Sequence, residues 1–432
     1  GKIKAETKPC IRTGRKGIKM KELHGNIVVG QSGGPTAAIN ATLAGVIRGG
    51  LDGIAAGTVG KIYGMRNGVE GLLEERLVDL GALFDTDEKL RRLEHTPAAA
   101  LGSCRKKLPR HGDDPAVYEK LLAIFRKYDI RYFFYIGGND SMDTAAKLSE
   151  YTRTHDYEMR IMGVPKTIDN DLVVTDHTPG FGSAAKYIAV TMQEIIRDCS
   201  VYTLPAVTIV EIMGRDAGWL TAASAIGRAV NGISPDLVYL PEHPFDLDAF
   251  FARLRERLAV HPGVVVAVSE GIRFADGRYV CEGVDVGTTD VFGHKQLSGT
   301  GKALELAVRA EIGCKVRSVE LNLPQRCAGH IASAQDLTES VAVGMAAVAA
   351  AREGVSREMM TILRTEENGH YAFEISHSDV SEIANKIKSV PAEFINAAGD
   401  DVTDECCRYL LPLIKGEAYP EYRDGIPDYA VI

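Results

Sequence analysis

The sequence lacks three features that would assign its class at once: paired cysteines, a long apolar run and an excess of positive charge. Its eight cysteines are scattered, and none forms a Cys-x-x-Cys pair or joins histidines at the spacing of zinc ligands. They stand at positions 10, 104, 199, 281, 314, 327, 406 and 407. Scattered thiols in a long chain are typical of a reducing compartment, so we expect a cytoplasmic protein.

The longest apolar run, residues 341–351, is too short to cross a bilayer, which takes about 20 apolar residues in a helix. We interpret it as a buried helix and expect no membrane partner. No pattern typical of a signal peptide is present. The formal net charge of −8 argues against nucleic acid as a partner, because proteins that bind it normally carry a basic face.

What the chain does have is a globular composition and a recurring pattern. At 432 residues, with 45% apolar and 25% charged residues, it is long enough for two domains. Short apolar runs, mostly followed by a glycine-rich or acidic loop and a segment of helical period, lie at residues 26–30, 131–136, 160–164, 206–212, 264–268 and 315–321. Apolar strands alternating with helices are typical of parallel sheets covered on both faces. We therefore predict an α/β fold with mainly parallel sheets, whose ligands bind beyond the carboxyl ends of the strands.

The first such loop contains Gly33 and Gly34, followed by Pro35 and a predicted helix from about Thr36. Paired glycines allow backbone N–H groups to approach an anion, and proline suits the first turn of a helix. Two interpretations stay open for this loop, a phosphate site or a tight turn that needs glycine for steric reasons.

The second loop, Gly137–Ser141, places Asn139 and Asp140 after two glycines. Oxygen-bearing side chains beside glycine suit a phosphate together with a hydrated Mg²⁺ ion, which prefers oxygen ligands. Asn and Asp also favour turns and helix N-caps, which is the alternative.

The third loop, Pro165–Asp171, is the most informative segment, because a structural turn rarely needs such a density of charge. Asp169 and Asp171 can supply a general base and a magnesium-linked carboxylate, while Lys166 can neutralise phosphate.

Arginines and one glutamate complete the candidate site. Arginine binds phosphate in a bidentate manner, although any single arginine is more often a surface residue. The candidates are Arg105, Arg215, Arg317 and Arg326. Glu270 follows an apolar run and can accept hydrogen bonds from a sugar, or it can be an acid at a helix N-terminus.

These motifs, taken in order, resemble the phosphofructokinase family from about Gly25 onward. The ordered set is Ser32–Gly34, Gly137–Gly138, Thr167–Asp171, Met213–Arg215, Ser269–Glu270 and Gln325–Arg326. The resemblance implies two Rossmann-like three-layer domains. It suggests an N-terminal arm at 1–24, a domain for pyrophosphate and magnesium at 25–180 and 327–390, and a domain for fructose 6-phosphate at 181–326 and 391–432.

The resemblance also implies roles for individual residues. Asp169 would take the proton from the 1-hydroxyl of the sugar, and the other catalytic residues would be Lys166, Asp140, Asp171 and Arg215. Fructose 6-phosphate would be held by Thr167, Ile168, Asp169, Met213, Gly214, Arg215, Glu270, Arg317, Leu323 and Arg326. Pyrophosphate would meet Gly33, Gly34, Arg105, Gly138, Asp140 and Lys166, and Mg²⁺ would be bound by Asn139 and Asp171. Arg317 would act from a neighbouring subunit, which implies a homodimer or homotetramer.

Two positions indicate the phosphoryl donor. Members of the family that use ATP usually have glycine at the places of Asp140 and Lys166. A carboxylate at position 140 occupies the space that the α-phosphate of ATP would need, and its charge repels that phosphate. The lysine at position 166 places a positive charge where it can bind pyrophosphate. We therefore expect reversible, pyrophosphate-dependent phosphorylation of fructose 6-phosphate in glycolysis and gluconeogenesis. The alternatives are an ATP-dependent enzyme, a preference for sedoheptulose 7-phosphate, since Leu323 stands where His or Tyr is usual, and a non-catalytic regulatory subunit.

Overall fold

The computed structural model describes residues 23–283, 299–383 and 386–432. The predicted N-terminal arm lies outside the described residues except for its last two positions. Fifteen strands are described: β1 Gly25–Gln31, β2 Val59–Met65, β3 Leu77–Asp79, β4 Ile130–Gly137, β5 Arg160–Pro165, β6 Ala206–Ile212, β7 Leu237–Tyr239, β8 Gly263–Ser269, β9 Lys315–Glu320, β10 Ala332–Ser333, β11 Glu358–Glu367, β12 His370–Asp379, β13 Glu417–Ala418, β14 Tyr422–Arg423 and β15 Ile426–Pro427.

The helices fill the connections between the strands. Those described are α1 Ile39–Ala55, α2 Gly68–Leu73, α3 Leu80–Leu83, α4 Asp87–Glu94, α5 Pro115–Lys127, α6 Asn139–Thr154, α7 Phe181–Cys199, α8 Trp219–Ala223, α9 Arg228–Asn231, α10 Leu247–Val260, α11 Thr300–Glu311, α12 Pro324–Cys327, α13 Ala334–Arg352 and α14 Asp404–Leu410. Among the described residues, none of these helices has both the length and the apolar character needed to cross a membrane.

Two larger sheets organise the chain, and the predicted α/β class is confirmed. The first sheet has seven strands in the order β12-β11-β5-β4-β1-β2-β3, and the second has four in the order β7-β8-β6-β9. The second sheet is parallel throughout, whereas β3 and β12 run antiparallel to their neighbours at the edges of the first. Each large sheet is buried on both faces by its own pair of apolar clusters. This burial explains why the central strands read as continuous apolar runs.

The antiparallel edge of the first sheet comes from a hairpin that joins β11 to β12. Its turn is Asn368–Gly369, and both residues have positive φ angles, 52° and 76°. An Asn-Gly pair adopts this two-residue turn readily, because its geometry matches the twist of the strands. The hairpin therefore had a sequence signal, although its strands lack the continuous apolar character of the parallel ones.

The apolar run at 341–351 lies within α13, as predicted, and α13 packs closely on α1. A side chain at Gly45 would place its Cβ only 2.2 Å from the carbonyl oxygen of Val341. Glycine at this position therefore lets the two helix backbones approach each other.

The prediction that a helix begins near Thr36 is wrong, because α1 begins at Ile39. The carbonyl of Thr36 accepts a hydrogen bond from the backbone of Ala98 at 3.0 Å, and its hydroxyl accepts one from the backbone of Ala38 at 3.2 Å. These bonds hold residues 36–38 in a bend. As a result, Gly33 and Gly34 do not lie directly at the N-terminus of the helix.

A buried ionic network ties the chain that follows Asp171 to α13 and β12. His177 is only 1% exposed; its Nδ1 lies 2.8 Å from Asp176 and its Nε2 lies 2.6 Å from Glu339. Glu339 also accepts a hydrogen bond from the hydroxyl of Tyr371 at 2.5 Å. Burial alone would lower the pKa of His177, but the charge of Glu339 and the two hydrogen bonds raise it to about 9.

Because the pKa of His177 is higher in the folded protein than in the unfolded chain, its protonation stabilises the fold below about pH 6.5. That stabilisation is lost as the pH rises to about 9, and it amounts to at most ~3.5 kcal/mol at about 1.4 kcal/mol per pH unit. We expect the thermal midpoint of His177→Gln to fall less between pH 6 and pH 9.5 than that of the unmodified protein. The exposed His370→Gln variant is the control and should follow the unmodified protein. An equal fall in all three proteins would contradict this account.

Candidate active site

One cavity gathers most of the predicted site residues. It has a volume of about 380 Å³ and is lined by loops that follow β1, β4 and β5 of the first sheet and β6 and β8 of the second. Its lining residues are Ser32, Gly33, Gly34, Cys104, Arg105, Lys106, Gly138, Asn139, Asp140, Ser141, Lys166, Thr167, Asp169, Asp171, Arg215, Asp216, Ala217 and Glu270. Carboxyl ends of parallel strands are where an α/β fold places its ligands, so the cavity lies where the sequence predicted it.

Lys166 is the most enclosed cation of this cavity. Its side chain follows directly after β5, only 4% of the residue is exposed, and its Nζ donates to the carbonyl of Gly34 at 2.7 Å. Gly33 has a φ of 79°, and a Cβ there would lie 3.1 Å from that Nζ, so the glycine leaves room for the ammonium. Burial lowers the pKa of Lys166 to about 8, against the charges of Asp169 and Asp171, which raise it. An anion bound beside this buried ammonium would stabilise its charged form, so the position suits an anionic ligand.

The two carboxylates of the third loop, Asp169 and Asp171, both have raised pKa values. Burial is the main cause for each, the charge of Lys166 opposes the shift at Asp169, and the charge of Asp169 adds to the shift at Asp171. The hydroxyl of Thr167 accepts a hydrogen bond from the backbone of Asp169 at 3.1 Å. A carboxyl group with a raised pKa in a cleft is suited to accept a proton during a reaction.

The loop between β5 and α7 is held by its own side chains. Asn170 has a φ of 54°, and its Oδ1 accepts a hydrogen bond from the backbone of Thr178 at 3.1 Å. The hydroxyl of Thr178 donates to the carbonyl of Thr167 at 2.7 Å. Because Asn tolerates the left-handed conformation, the loop can turn there and keep its carboxylates at the cavity.

The donor set around Asn139 and Asp171 suits a magnesium ion. The Oδ1 of Asn139 is buried and has no hydrogen-bond partner among the described residues, while its Nδ2 donates to the carbonyl of Lys386 at 3.2 Å. An unpartnered amide oxygen in the same cavity as a carboxylate fits an ion that takes one or two protein oxygens and keeps several waters. No group of three or more His, Cys, Asp or Glu side chains with metal-site geometry occurs in the described part of the chain. These residues therefore do not form a metal site in which all ligands come from the protein.

Asp140 lies at the mouth of the cavity in the first turn of α6. Its side chain is 58% exposed, and it forms an ion pair of 3.0 Å with Lys107. An acidic side chain in a first helical turn also stabilises the helix dipole. Asp140 therefore stabilises the N-terminus of α6 and also places a carboxylate at the entrance of the cavity.

The second sheet contributes Arg215 and Glu270. Glu270 accepts a hydrogen bond from the backbone of Gly214 at 3.2 Å, and burial raises its pKa to about 7. The Nε of Arg215 is buried without a hydrogen-bond partner in the described structure. A buried guanidinium donor of this kind favours a bound anionic or hydroxylated ligand.

Six predicted residues do not line the cavity: Ile168, Met213, Gly214, Arg317, Leu323 and Arg326. Ile168 is 7% exposed and belongs to an apolar core. Arg326 lies close by, because its Nη1 would be 3.6 Å from a Cβ at Gly34. Leu323 is 52% exposed, and Arg317 is exposed on β9 beside a separate small cavity.

Sequence reasoning gave no role to six other lining residues: Ser32, Cys104, Lys106, Ser141, Asp216 and Ala217. Each of them is next to or within a motif already identified, so position near Gly33, Arg105, Asp140 or Arg215 was the available signal. Asp216 forms an ion pair of 2.6 Å with Arg273, which explains its charge without a ligand.

Cations that face carboxylates across glycine-rich loops meet the needs of phosphoryl transfer, where alignment and charge stabilisation dominate. This geometry fits a phosphotransferase. The chain belongs to the phosphofructokinase family, whose model, described as Phosphofructokinase, matches residues 26–351.

Relatives match almost the whole chain. The pyrophosphate–fructose 6-phosphate 1-phosphotransferase of Methylococcus capsulatus is 41% identical over 409 residues, which cover 94% of this chain and 96% of the relative. The enzyme of the same name from Xanthomonas campestris is 42% identical over 409 residues, with the same coverage of both chains. A crystal structure of a pyrophosphate-dependent phosphofructokinase from Nitrosospira multiformis matches with a TM-score of 0.84 and 38% identity, covering 94% of this chain and 96% of that one.

The burial of Lys166 predicts a large kinetic effect. We expect Lys166→Gly to lower kcat by about 10²–10³, the loss typical for removal of one preorganised charge donor. Lys106→Gly, which removes an exposed lysine from the same cavity, is the control and should lose much less. Steady-state kinetics with pyrophosphate would measure both variants. Equal activity of Lys166→Gly and the unmodified protein would remove Lys166 from the mechanism.

Proposed function

We propose that this protein transfers a phosphoryl group from pyrophosphate to the 1-hydroxyl of fructose 6-phosphate, reversibly, giving fructose 1,6-bisphosphate and orthophosphate. The observation that carries the proposal is the buried Lys166 ammonium beside Asp169 and Asp171, in a cavity with a carboxylate, Asp140, at its mouth. Four relatives at 39–42% identity carry the name of this activity.

The choice of donor follows from size and charge. Pyrophosphate is small and needs cations close to both phosphoryl groups, which Lys166 and Arg105 can provide from two different loops of the cavity. A nucleotide would carry further phosphate and a base past Asp140, where the carboxylate repels it. The ion pair with Lys107 keeps the Asp140 side chain in place and offsets part of its charge, so the bulk of the carboxylate contributes to the exclusion as well.

In the reaction, the 1-hydroxyl oxygen forms a bond to one phosphorus of pyrophosphate, and the bridging P–O bond breaks. The hydroxyl proton passes to Asp169, whose raised pKa makes it a competent acceptor, and orthophosphate leaves. Lys166 and Arg105 stabilise the negative charge on the transferred and leaving groups. Arg215 and Glu270 orient the sugar from the second sheet.

We assign the magnesium site to Asn139 and Asp171. Magnesium bound there would neutralise charge on the phosphate oxygens during transfer. The unpartnered Oδ1 of Asn139 supports this assignment. Because an amide is a neutral ligand, most of the site's charge comes from Asp171 and from the pyrophosphate itself.

The two sheets suggest that each domain binds one of the two substrates. We place pyrophosphate and magnesium on the domain of 25–180 and 327–390, whose loops carry Lys166 and Asn139. Fructose 6-phosphate falls to the domain of 181–326 and 391–432, whose loops carry Arg215 and Glu270. The seven cysteines in the described residues are free thiols, which supports a cytoplasmic location.

A coupled assay tests the function directly. With fructose 6-phosphate and magnesium, we expect turnover with pyrophosphate and none with ATP. In the Asp140→Gly/Lys166→Gly double variant, activity with pyrophosphate should fall by about 10²-fold or more while ATP begins to support turnover. Turnover of the unmodified protein with ATP alone would make it an ATP-dependent enzyme, and absence of turnover with either donor would favour a regulatory subunit. Competition with sedoheptulose 7-phosphate checks the acceptor.

The position of Arg317 supports an oligomer. Its side chain is exposed on the edge strand β9, away from the active-site cavity of its own subunit, and lines a small cavity with the exposed apolar residues Tyr202 and Leu204. Exposed apolar side chains beside an unpaired strand edge are typical of a subunit interface. We propose that Arg317 reaches the sugar phosphate in the cavity of a second copy of this chain.

Mixed oligomers of two inactive variants test whether Arg317 acts in the active site of a neighbouring subunit. Arg317→Ala and Asp169→Asn should each be poorly active alone. When the two chains are co-expressed, a subunit that keeps Asp169 can receive the intact Arg317 of its partner, so activity should return. Activity that stays at the level of the separate variants, in co-purified mixed oligomers, would show that Arg317 does not act between subunits.

A further inference from the structure

A short segment, residues 386–390, contacts both residues proposed as magnesium ligands without lining the cavity. The Nδ2 of Asn139 donates to the carbonyl of Lys386 at 3.2 Å, and the backbone N–H of Lys388 donates to the carbonyl of Asp171 at 2.8 Å. We call residues 386–390 the strap. It touches the metal-binding residues through their amide nitrogen and backbone, which leaves their ligand oxygens available.

The other side of the strap is bonded to the second domain. The indole Nε1 of Trp219 donates to the carbonyl of Lys388 at 2.9 Å. The carboxylate Oε1 of Glu242 accepts hydrogen bonds from the backbones of Val390 and Gly218, both at 2.8 Å. Gly218 follows the cavity residues 215–217, so the strap connects the walls of the cavity that come from the two sheets.

The Lys388 side chain joins these two sets of bonds. Its ammonium donates to the carbonyl of Thr175 at 3.1 Å and to the carbonyl of Asp176, and it lies 5.1 Å from the ring centre of Trp219. Thr175 and Asp176 belong to the same loop as Asp169 and Asp171. A cation between two carbonyls and an aromatic face favours one arrangement of all three.

We propose that Lys388 is a positioning residue: it fixes the Asp169–Asp171 loop relative to the sugar-binding wall by clasping Thr175 and Asp176 to Trp219. This role rests on the proposed function of the cavity. Phosphoryl transfer depends on alignment, and a misplacement of about 1 Å can reduce a rate about 10²-fold. The aligned groups come from different sheets, so their relative position needs a connection of this kind.

Lys388→Met tests the role, because it keeps the length of the side chain and removes the ammonium. We expect kcat to fall about 10- to 100-fold and the Mg²⁺ concentration for half-maximal activity to rise about 10-fold, as when residues behind metal ligands are lost. The KM for fructose 6-phosphate should stay close to that of the unmodified protein. Lys388→Arg, which restores a cation and its donors, should recover much of the loss.

Lys186→Met is the matched control. Lys186 also donates from its ammonium to a backbone carbonyl, that of Gly416, and pairs with Glu417 at 2.8 Å, and both of these partners lie outside the loop and the strap. It should lose stability without losing kcat. An equal fall of kcat in both methionine variants, or none in Lys388→Met, would overturn the proposal. If Lys388→Met does not fold, Trp219→Phe removes one bond of the clasp, and unchanged kcat in that variant would also overturn it.

The chain contains a single tryptophan, so its fluorescence reports on Trp219 at the clasp. We expect Mg²⁺ with pyrophosphate to change the emission of the unmodified protein, and the change to be much smaller in Lys388→Met at saturating ligand. An identical change in both proteins would overturn the coupling. This measurement needs binding but no turnover, so its outcome is separate from that of the donor and acceptor assay.

Discussion

The enclosed ammonium of Lys166 is the constraint on which the rest of the site depends. A lysine that is 4% exposed and bonded to one carbonyl keeps its charge only if acidic groups lie near it. Asp169 and Asp171 supply that negative charge. Their own burial raises their pKa values, and the charge of Lys166 offsets only part of that rise. Each charged group therefore lowers the free-energy cost of burying the others. A bound pyrophosphate with magnesium would complete this balance, since it brings both an anion for the lysine and a cation for the carboxylates.

The same constraint explains why the surrounding backbone is held so firmly. The carbonyl of Gly34 must lie within hydrogen-bond distance of the Lys166 ammonium, and Gly33 must lack a side chain. On the other side, the loop of Asp169 is fixed by Asn170, by Thr178 and, through the strap, by Lys388. The residues that form these hydrogen bonds come from segments that are distant from one another in the sequence. The geometry of the site thus depends on contacts between elements that are distant along the chain.

The class of fold and the cavity loops were predictable, because strands buried on both faces and loops at their carboxyl ends leave a local pattern. The apolar run of β4 and the charged Pro165–Asp171 loop are examples. Features that depend on distant partners were not predictable. The start of α1 is set by a bond between Thr36 and Ala98, and the clasp of Lys388 joins residues more than 160 positions apart along the chain. No local pattern marks Lys388, since an isolated lysine near a proline is most often a surface residue.

The residues proposed as magnesium ligands are also placed by partners that are distant along the chain. Asn139 opens α6, and its amide is oriented from behind by the carbonyl of Lys386. An aspartate at this position could not donate to that carbonyl, because an ionised carboxylate has no hydrogen to offer. The amide is therefore compatible with the strap in a way that an acidic ligand is not. This compatibility is a structural reason for an amide at position 139, and at the proposed magnesium site it would leave the negative charge to Asp171 and to the substrate.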